Sequence, residues 1–236
     1  TAGEGCVLLG STLILGCVAG IAAAPEGLRA TPHLGPGWFV GGWTSTAGSL
    51  LRWSRATNGE AAASAAASLP PGAGGLLMLP YFAGERAPHW DSQARGAVVG
   101  LSLATTPAEL HRAAIDAVAL SARDLTERLA GGGLKPARLR ATGGGARDPA
   151  WRQAGADATG CELAVMAHAG QDVGPAALAW RALGRQPAAH VDFVVTPEPR
   201  RQARYRALHG FYRDLYPALA GTLHGLGRLA REVEII

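Results

Sequence analysis

The strongest candidate for binding chemistry in this sequence is a run of three glycines, Gly143, Gly144 and Gly145, between a predicted strand and a predicted helix. Glycine lacks a Cβ, so the backbone can approach a ligand closely at such a run. The N-terminus of the following helix offers free N–H groups and a partial positive charge to a nucleotide or another anion. The spacing matches neither the GxGxxG fingerprint nor the GxxxxGK[ST] P-loop. Taken alone, the run is at least as consistent with a structural turn.

A second candidate for an anion site is Gly10-Ser11-Thr12, which lies between two apolar segments. A turn of small hydroxyl residues can donate backbone N–H and side-chain O–H groups to a phosphate. In isolation, an ordinary hairpin turn explains these three residues better. The case for an anion site at this turn depends on the other candidate residues in the chain.

The segment Gly84–Arg95 concentrates ionisable side chains in a predicted irregular loop. Its members are Glu85, Arg86, His89, Asp91 and Arg95. These groups could supply an acid, a base or a clamp for an anion. The sequence favours the alternative that they form a hydrogen-bonded loop that holds two lobes or two subunits together.

Composition excludes several other classes of site. The chain has 236 residues with 48% hydrophobic and 17% charged content, which predicts a globular protein. Its net charge of +4 comes from scattered arginines rather than a basic cluster, so nucleic acid is not predicted as a partner. Cys6, Cys17 and Cys161 lack disulfide or zinc spacing, and buried thiols are expected. The six histidines outside the polar loop show no metal-ligand spacing, so no metal site is predicted.

The 18 residues from Val7 to Ala24 carry no charge and just reach the length of a membrane span. A lipoprotein anchor at Cys17 is the related alternative. No basic residue precedes the segment, and its interior contains Gly10, Ser11 and Gly16, which weaken a membrane helix. A buried β-hairpin is the preferred interpretation, so a membrane is not predicted as a partner.

Apolar patterns and capping residues predict the elements that position these candidates. The predicted strands are 7–9, 13–18, 38–42, 76–82, 97–103, 138–141 and 163–167, with a turn-rich connection over 25–36. The predicted helices begin at Thr44 or Ser45, Glu60, the capping box Thr106-Pro107-Ala108-Glu109, the N-cap Asp148, Gly174 and Gln202. Strands cluster first and then alternate with helices, which is typical of an α/β domain with a mixed sheet.

Two stretches together carry a resemblance to a known family. The first is Tyr81–Leu129 (YFAGERAPHWDSQARGAVVGLSLATTPAELHRAAIDAVALSARDLTERL), and the second begins at Thr142 (TGGGARDPAWRQ). They resemble the C-terminal lobe of the FGGY family of carbohydrate kinases, most closely its xylulokinase-like branch. The resemblance covers residues 4–225 and leaves 226–236 as a tail. It implies the actin-like ATPase (ribonuclease H-like) fold, with a mixed sheet flanked by helices.

The resemblance also implies a nucleotide site. The glycine run would line adenine and ribose, and the hydroxyl turn would contact the terminal phosphates, where the family usually has Gly-Thr-Ser or Gly-Thr-Gly. The helix around Thr46–Trp53 would add contacts to phosphate and base; its alternative is a solvated Arg52 with Trp53 in the core. The implied cofactor-binding residues are Gly10, Ser11, Thr12, Gly48, Arg52, Gly143, Gly144, Gly145 and Asp148.

The function that the resemblance implies is transfer of the ATP γ-phosphate to a sugar or polyol hydroxyl, with Mg²⁺ and with D-xylulose as the first candidate. The family's catalytic Asp would lie upstream of Thr1, because Glu4 matches a different acidic position. The sugar would bind through an N-terminal lobe outside this chain, and the chain alone is expected to be inactive. A homodimer and a cytoplasmic location are further expectations. The alternative function is a catalytically incompetent nucleotide-binding or assembly module, as in a truncated or degenerate relative.

Overall fold

The computed structural model describes residues 5–167, 173–185 and 190–233, and most of its strands form one mixed sheet. The strands are β1 Gly5–Leu9, β2 Leu13–Ala19, β3 Arg29–Pro32, β4 Trp38–Trp43, β5 Leu77–Leu79, β6 Ala97–Val99, β7 Arg138–Thr142, β8 Glu162–Met166 and β9 Val191–Val195. Seven of them form a sheet in the order β3-β4-β2-β1-β7-β8-β9, and β5 pairs with β6 separately. The pairs β1–β7 and β7–β8 are parallel, whereas the other neighbours run antiparallel.

Six α-helices accompany the strands within the described ranges. They are α1 Gly48–Asn58, α2 Glu60–Ala66, α3 Pro107–Gly131, α4 Pro149–Thr159, α5 Val173–Ala182 and α6 Pro199–Val233. The predicted capping box of α3 is present, because the Thr106 side chain accepts from the Glu109 amide and the Glu109 side chain accepts from the Thr106 amide. The predicted N-cap of α4 is present too, since Asp148 Oδ1 accepts from the amides of Ala150 and Trp151.

Helix α3 is the centre of the packing. Every residue of this helix from His111 to Ala122 is buried. The helix contacts the sheet at β2 and β4, and it also contacts α1, α2, α4 and α6. A helix enclosed on all sides must provide partners for its polar side chains as well as its apolar ones.

The uncharged segment over residues 7–24 forms the predicted hairpin. Strands β1 and β2 pair from Leu9 with Leu13 to Gly5 with Cys17, around the turn at residues 10–12. Alternating side chains such as Val7 and Leu15 are buried. Among the helices that the structure describes, none is long and apolar enough to cross a membrane.

Several predicted boundaries were wrong. Strand β3 lies inside the predicted connection over 25–36, and β9 was not predicted. The segments 76–82 and 97–103 contain only three strand residues each. Helix α1 begins at Gly48, because Thr44 Oγ1 accepts from the Leu13 amide at 3.2 Å and donates to the Thr46 carbonyl at 3.0 Å instead of capping a helix. Tertiary hydrogen bonds override the local capping preference here.

The polar loop Gly84–Arg95 is fastened to α6 of the same chain. Asp91 Oδ2 accepts a hydrogen bond from the Tyr216 hydroxyl and lies 2.7 Å from His224 Nε2. Burial alone would raise the pKa of Asp91, but the hydrogen bonds from Tyr216, the Gln93 amide and His224 leave it below its usual value. The loop is therefore hydrogen-bonded, as predicted, but these hydrogen bonds run to a helix of its own lobe. A role in holding two lobes or two subunits together stays a prediction.

The predicted division between a lobe ending at residue 225 and a tail from 226 stays a prediction. Helix α6 runs through that position without interruption and ends at Val233. Residue Glu4 and the last three residues lie outside the described part of the chain.

Candidate functional site

The two candidate turns lie side by side at one edge of the sheet. Strands β1 and β7 are parallel neighbours, with Leu8 paired to Thr142, so the turns that follow them emerge at the same edge. Helix α1 lies beside both turns and completes a cleft of about 500 Å³. The residues that line this cleft are Leu9, Gly10, Ser11, Gly48, Leu51, Arg52, Arg55, Gly144, Gly145 and Asp148.

Seven of the nine predicted binding residues therefore line one cleft. The other two, Thr12 and Gly143, are not among the lining residues. Gly143 instead packs against β1, because a Cβ at this position would lie 2.3 Å from the Leu9 carbonyl oxygen. Its φ of +89° also lies in the region that favours glycine. Gly143 is thus a structural glycine rather than a part of the cleft wall.

The three glycines of the run have different surroundings. At Gly145 an added Cβ would lie 2.0 Å from Leu9 Cδ2, so this position is also constrained by packing against β1. At Gly144 an added Cβ would meet nothing within 4 Å, and this residue lines the cleft. The fold would tolerate a side chain at Gly144, but that side chain would project into the cleft and compete with a ligand for space. Only Gly144 therefore has the surroundings expected of a glycine that is needed for ligand access alone.

The hydroxyl turn is held against the start of α1. The amides of Ala47 and Gly48 donate to the carbonyls of Ser11 and Gly10 at 2.8 and 3.1 Å. A Cβ at Gly48 would lie 2.3 Å from the Gly10 carbonyl oxygen, so glycine is required for this close approach. Since these amides are already used, the start of α1 fixes the position of the turn and does not present those N–H groups to an anion.

Positive charge enters the cleft from α1. Arg52 Nη2 donates to Ser11 Oγ at 3.1 Å, which places a guanidinium next to the hydroxyl turn. Arg55, one turn further along α1, also lines the cleft and was not predicted. Its spacing of three residues from Arg52 places it on the same helix face, a signal that was available in the sequence.

Arg55 lies between two carboxylates. Its Nη1 lies 2.7 Å from Glu60 Oε1, and its Nη2 lies 3.9 Å from Asp148 Oδ2. Asp148 uses Oδ1 to cap α4, which leaves Oδ2 directed to this side. The suggested alternative of a core tryptophan beside these arginines was wrong, because Trp53 is 46% exposed and packs edge-on against Phe82.

The cleft has the chemistry of an anion site and lacks that of a metal site. Asp148 is the only carboxylate among the described residues that line it, and it is occupied by the α4 cap and by Arg55. No group of three histidine, cysteine, aspartate or glutamate side chains able to hold a metal ion occurs in the described ranges. Cys17 and Cys161 are buried free thiols, with burial raising the pKa of each.

A cluster of buried ionisable groups lies away from the cleft and has a structural role. Arg112, Asp116 and Tyr205 form a buried cluster in which Arg112 Nη2 lies 2.8 Å from Asp116 Oδ1. The Tyr205 hydroxyl donates to the same oxygen at 2.6 Å, and the Gly72 amide donates to Asp116 Oδ2 at 2.7 Å. Asp116 therefore has a structural role. Burial, followed by the charge of Asp116, raises the pKa of Tyr205 well above its usual value.

Glu85 is a buried carboxyl group in the polar loop. Its Oε1 accepts from the amides of Ser45 and Arg86 at 2.8 and 2.7 Å. Its Oε2 has no hydrogen-bond partner among the described residues. Burial raises the pKa of Glu85 to about 8, against the lowering effect of the two amides. Glu85 supports the segment that leads into α1, and it does not line the cleft.

Comparisons with known proteins agree with this architecture. The model of the FGGY family of carbohydrate kinases, C-terminal domain, matches residues 10–183. The xylulose kinase of Staphylococcus epidermidis strain RP62A is 32% identical over 193 residues, which cover 76% of this chain and 39% of that protein. The chain thus spans about two fifths of the length of this relative.

Solved structures of sugar kinases share the fold. The ligand-bound xylulose kinase from Lactobacillus acidophilus superposes with a TM-score of 0.86 at 26% identity, over 95% of this chain and 49% of that one. The gluconate kinase from the same organism gives a TM-score of 0.85 at 27% identity, with the same coverage. The predicted actin-like ATPase fold is confirmed. The chain belongs to the FGGY family of carbohydrate kinases and corresponds to the C-terminal domain of its xylulokinase-like members.

Proposed function

We propose that this chain is the ATP-binding lobe of a kinase that transfers the γ-phosphate of ATP to a hydroxyl of a sugar or polyol. D-xylulose is the first candidate acceptor, because xylulose kinases are among the similar proteins in both sequence and structure. The observation that carries the proposal is the cleft where the hydroxyl turn, the glycine run and α1 meet. A nucleoside triphosphate needs such a combination of open backbone and positive charge.

The cleft suggests an orientation for the nucleotide. Arg52 lies beside Ser11, so the polyphosphate would occupy this end and receive charge-assisted hydrogen bonds. Gly144 and Asp148 would line adenine and ribose at the other end, where the backbone leaves open space. Arg55 lies between the two ends and would contact the nucleotide after leaving Asp148.

The described residues do not form a protein-held magnesium site. Mg²⁺ prefers octahedral oxygen coordination and commonly keeps several waters while it binds substrate phosphates. We therefore propose that Mg²⁺ accompanies ATP and that this lobe contributes guanidinium charge and backbone contacts. The general base for the acceptor hydroxyl and the sugar pocket would belong to an N-terminal lobe, so this chain by itself is expected to be inactive.

The remaining parts of the proposal concern location and partners. We propose a cytoplasmic location, because ATP is the ligand that the cleft would take. We also propose that the chain associates with a second copy of itself. The alternative is a catalytically incompetent nucleotide-binding or assembly module, which is favoured by the Gly-Ser-Thr order of the hydroxyl turn and by the lack of a carboxylate free for base catalysis in the cleft.

The test is calorimetric titration of the chain with Mg·ADP and Mg·ATP. We expect binding that weakens about tenfold or more in Arg52→Ala and is abolished in Gly144→Asp, whose added carboxylate would enter the cleft. Arg206→Ala removes an exposed arginine from α6, away from the cleft, and is the charge-matched control. Unchanged affinity in Gly144→Asp would place the ligand elsewhere, and the absence of binding by the unaltered chain would argue against the proposed lobe function.

A kinase assay with D-xylulose separates the two functional alternatives. The chain alone is expected to show no phosphorylated sugar, and turnover is expected only when an N-terminal kinase lobe is supplied. Robust turnover by the chain alone would contradict the assignment of the base to another lobe. Nucleotide binding without turnover in the presence of that lobe would favour the incompetent module.

A further inference from the structure

Arg152, on α4, holds the turn that contains the glycine run, although it is not among the residues that line the nucleotide cleft. Its Nη1 donates to the Arg147 carbonyl at 2.7 Å and, over a longer 3.4 Å, to the Ala146 carbonyl. Both carbonyls belong to the short 3-10 helix Gly144–Arg147, which joins β7 to α4. The guanidinium therefore fixes this turn from outside the cleft.

The hydrogen bonds of the turn itself explain why it needs a side-chain donor. The Ala146 amide donates to the Gly143 carbonyl at 3.2 Å, and the Asp148 amide donates to the Gly145 carbonyl at 3.1 Å. Among the described residues, no backbone amide donates to the carbonyls of Ala146 and Arg147. The last carbonyls of a helical turn carry partial negative charge and have no partner within the turn. A guanidinium supplies both the donors and the opposite charge.

Strand β9 holds the guanidinium in its turn. The Arg152 Cζ lies 4.7 Å from the centroid of the Phe193 ring, which is within the range of a cation–π contact. The neighbouring Gln153 Nε2 donates to the Thr196 carbonyl at 3.1 Å, so α4 is also tied to the residue that follows β9. An arginine that contacts an aromatic face and two carbonyls has lost much of its rotamer freedom. The position of the turn therefore depends on β9 through Arg152.

The turn held in this way forms one wall of the cleft. Gly144, Gly145 and Asp148 all line it. The close packing of Gly145 on Leu9 fixes the middle of the turn, but Gly144 has open space around its Cβ position. A binding site needs its wall placed to within about 0.5 Å, and contacts behind the wall provide that precision. Arg152 provides such contacts at the end of the turn that leads into α4.

We infer that Arg152 is a positioning residue for nucleotide binding, which acts by bracing the turn Gly144–Arg147 against β9. The inference rests on the proposed function, because it takes the ligand of the cleft to be a nucleotide. Arg152 shapes the end of the cleft proposed for adenine and ribose. The phosphate end is formed by the hydroxyl turn and Arg52, which Arg152 does not contact. Arg152 therefore matters for the nucleoside part of the ligand and not for its phosphates.

Calorimetric titration with two ligands tests this division. Mg·ADP occupies both ends of the cleft, whereas magnesium tripolyphosphate has no nucleoside and occupies the phosphate end. Arg152→Ala is expected to weaken Mg·ADP about fivefold or more and to change tripolyphosphate affinity by less than about twofold. Arg52→Ala is expected to weaken both ligands. A general loss of structure would also weaken both, so the ratio of the two affinities separates positioning from folding.

Two further variants test the route of the effect. Arg152→Lys keeps a positive donor near the carbonyls and is expected to recover part of the Mg·ADP affinity that Arg152→Ala loses. Phe193→Leu keeps an apolar side chain but removes the aromatic face, and it is expected to weaken Mg·ADP by less than Arg152→Ala does. Arg206→Ala, on the exposed face of α6, is the charge-matched control and is expected to leave both affinities unchanged.

Equal losses for the two ligands in Arg152→Ala, or an unchanged affinity for Mg·ADP, would overturn the inference. A lysine variant no better than alanine would overturn the role of the carbonyl contacts, and tripolyphosphate that fails to bind the unaltered chain would contradict a separate phosphate end. Circular dichroism melting of each variant checks that the lobe stays folded. Absence of Mg·ADP binding by the unaltered chain counts against the proposed function, whereas binding that is insensitive to Arg152→Ala counts against this inference alone.

Discussion

The nucleotide cleft and the interior between α3 and α6 both concentrate ionisable side chains, and they use them in opposite ways. In the cleft, Arg55 is 46% exposed and is shared between Glu60 and Asp148 at unequal distances. In the interior, Arg112 and Asp116 are 1% and 4% exposed and are linked with the Tyr205 hydroxyl. The cleft keeps charge available to a ligand, whereas the interior uses charge to fasten one helix to another.

The difference shows how to separate binding residues from structural ones in this lobe. A buried ionised group must be fully partnered, since leaving it unpaired costs several kcal/mol. An exposed guanidinium with exchangeable partners costs little to redirect. Perturbed ionisation alone therefore does not identify the functional site here, because strong shifts such as that of Tyr205 occur in the interior. A binding residue is better recognised by a side chain that reaches the cleft and has partners that a ligand can replace.

The largest expected effect concerns the interior. Asp116→Ala should lower the free energy of unfolding by about 3–5 kcal/mol, because it leaves Arg112 buried without its counter-charge and the Gly72 amide without an acceptor. Guanidinium denaturation measures this loss. The control is Glu162→Ala, which removes an exposed ion pair with Arg138 and should cost less than about 1 kcal/mol. Equal losses of unfolding free energy in the two variants would contradict the claim that the interior depends on its charges for stability.

The next largest effect is a difference in unfolding free energy among alanine variants of the three glycines in the run. Gly143→Ala and Gly145→Ala should each lower the free energy of unfolding by about 1–3 kcal/mol, since their Cβ atoms would collide with Leu9. Gly144→Ala should change it by no more than about 0.5 kcal/mol, because its Cβ meets open space. Thermal and denaturant unfolding of the three variants provide the comparison. A destabilised Gly144→Ala would show that this position is structural as well.

The smallest effect is a pH dependence at Glu85. Its folded pKa of about 8 lies above the ordinary 4.5, so the folded state retains a proton that the unfolded state releases. The stabilisation that this proton represents is complete below pH 4.5 and is lost as the pH rises toward 8. Between pH 7 and pH 8 the unaltered chain should lose at most about 1.4 kcal/mol relative to Glu85→Gln.

Denaturation of both proteins across this pH range isolates the contribution of Glu85, since the other groups titrate in both. Glutamine keeps an oxygen for the amides of Ser45 and Arg86, so the variant is expected to stay folded. Parallel stability curves would mean that Glu85 is ionised in the folded lobe at neutral pH. That result would show that a buried carboxylate with one unpaired oxygen is tolerated in this lobe, and it would weaken the rule that buried ionised groups are fully partnered here.

Local signals explain which elements could be predicted. The capping box at Thr106 and the N-cap at Asp148 act within a few residues, so the starts of α3 and α4 were predicted correctly. The alternation around the hydroxyl turn likewise predicted the β1–β2 hairpin. Strand β3 lacked such a signal, because it pairs with β4 at one edge of the sheet and half of its side chains are exposed. Pairing across the sheet, rather than local preference, makes it a strand.

The sequence by itself determined the family, the order of most elements and the residue types available to a nucleotide. Short-range spacing was sufficient because glycine runs, hydroxyl turns and helix caps act through the neighbouring backbone. Only the tertiary structure decided that Gly144 faces the cleft while Gly143 and Gly145 pack on Leu9, and that Arg55 joins Arg52 there. These outcomes depend on the parallel pairing of β1 with β7 and on the position of α1. The β1–β7 pairing joins segments more than 100 residues apart, and Arg52 of α1 reaches Ser11 across 41 positions, so no local pattern encodes either contact.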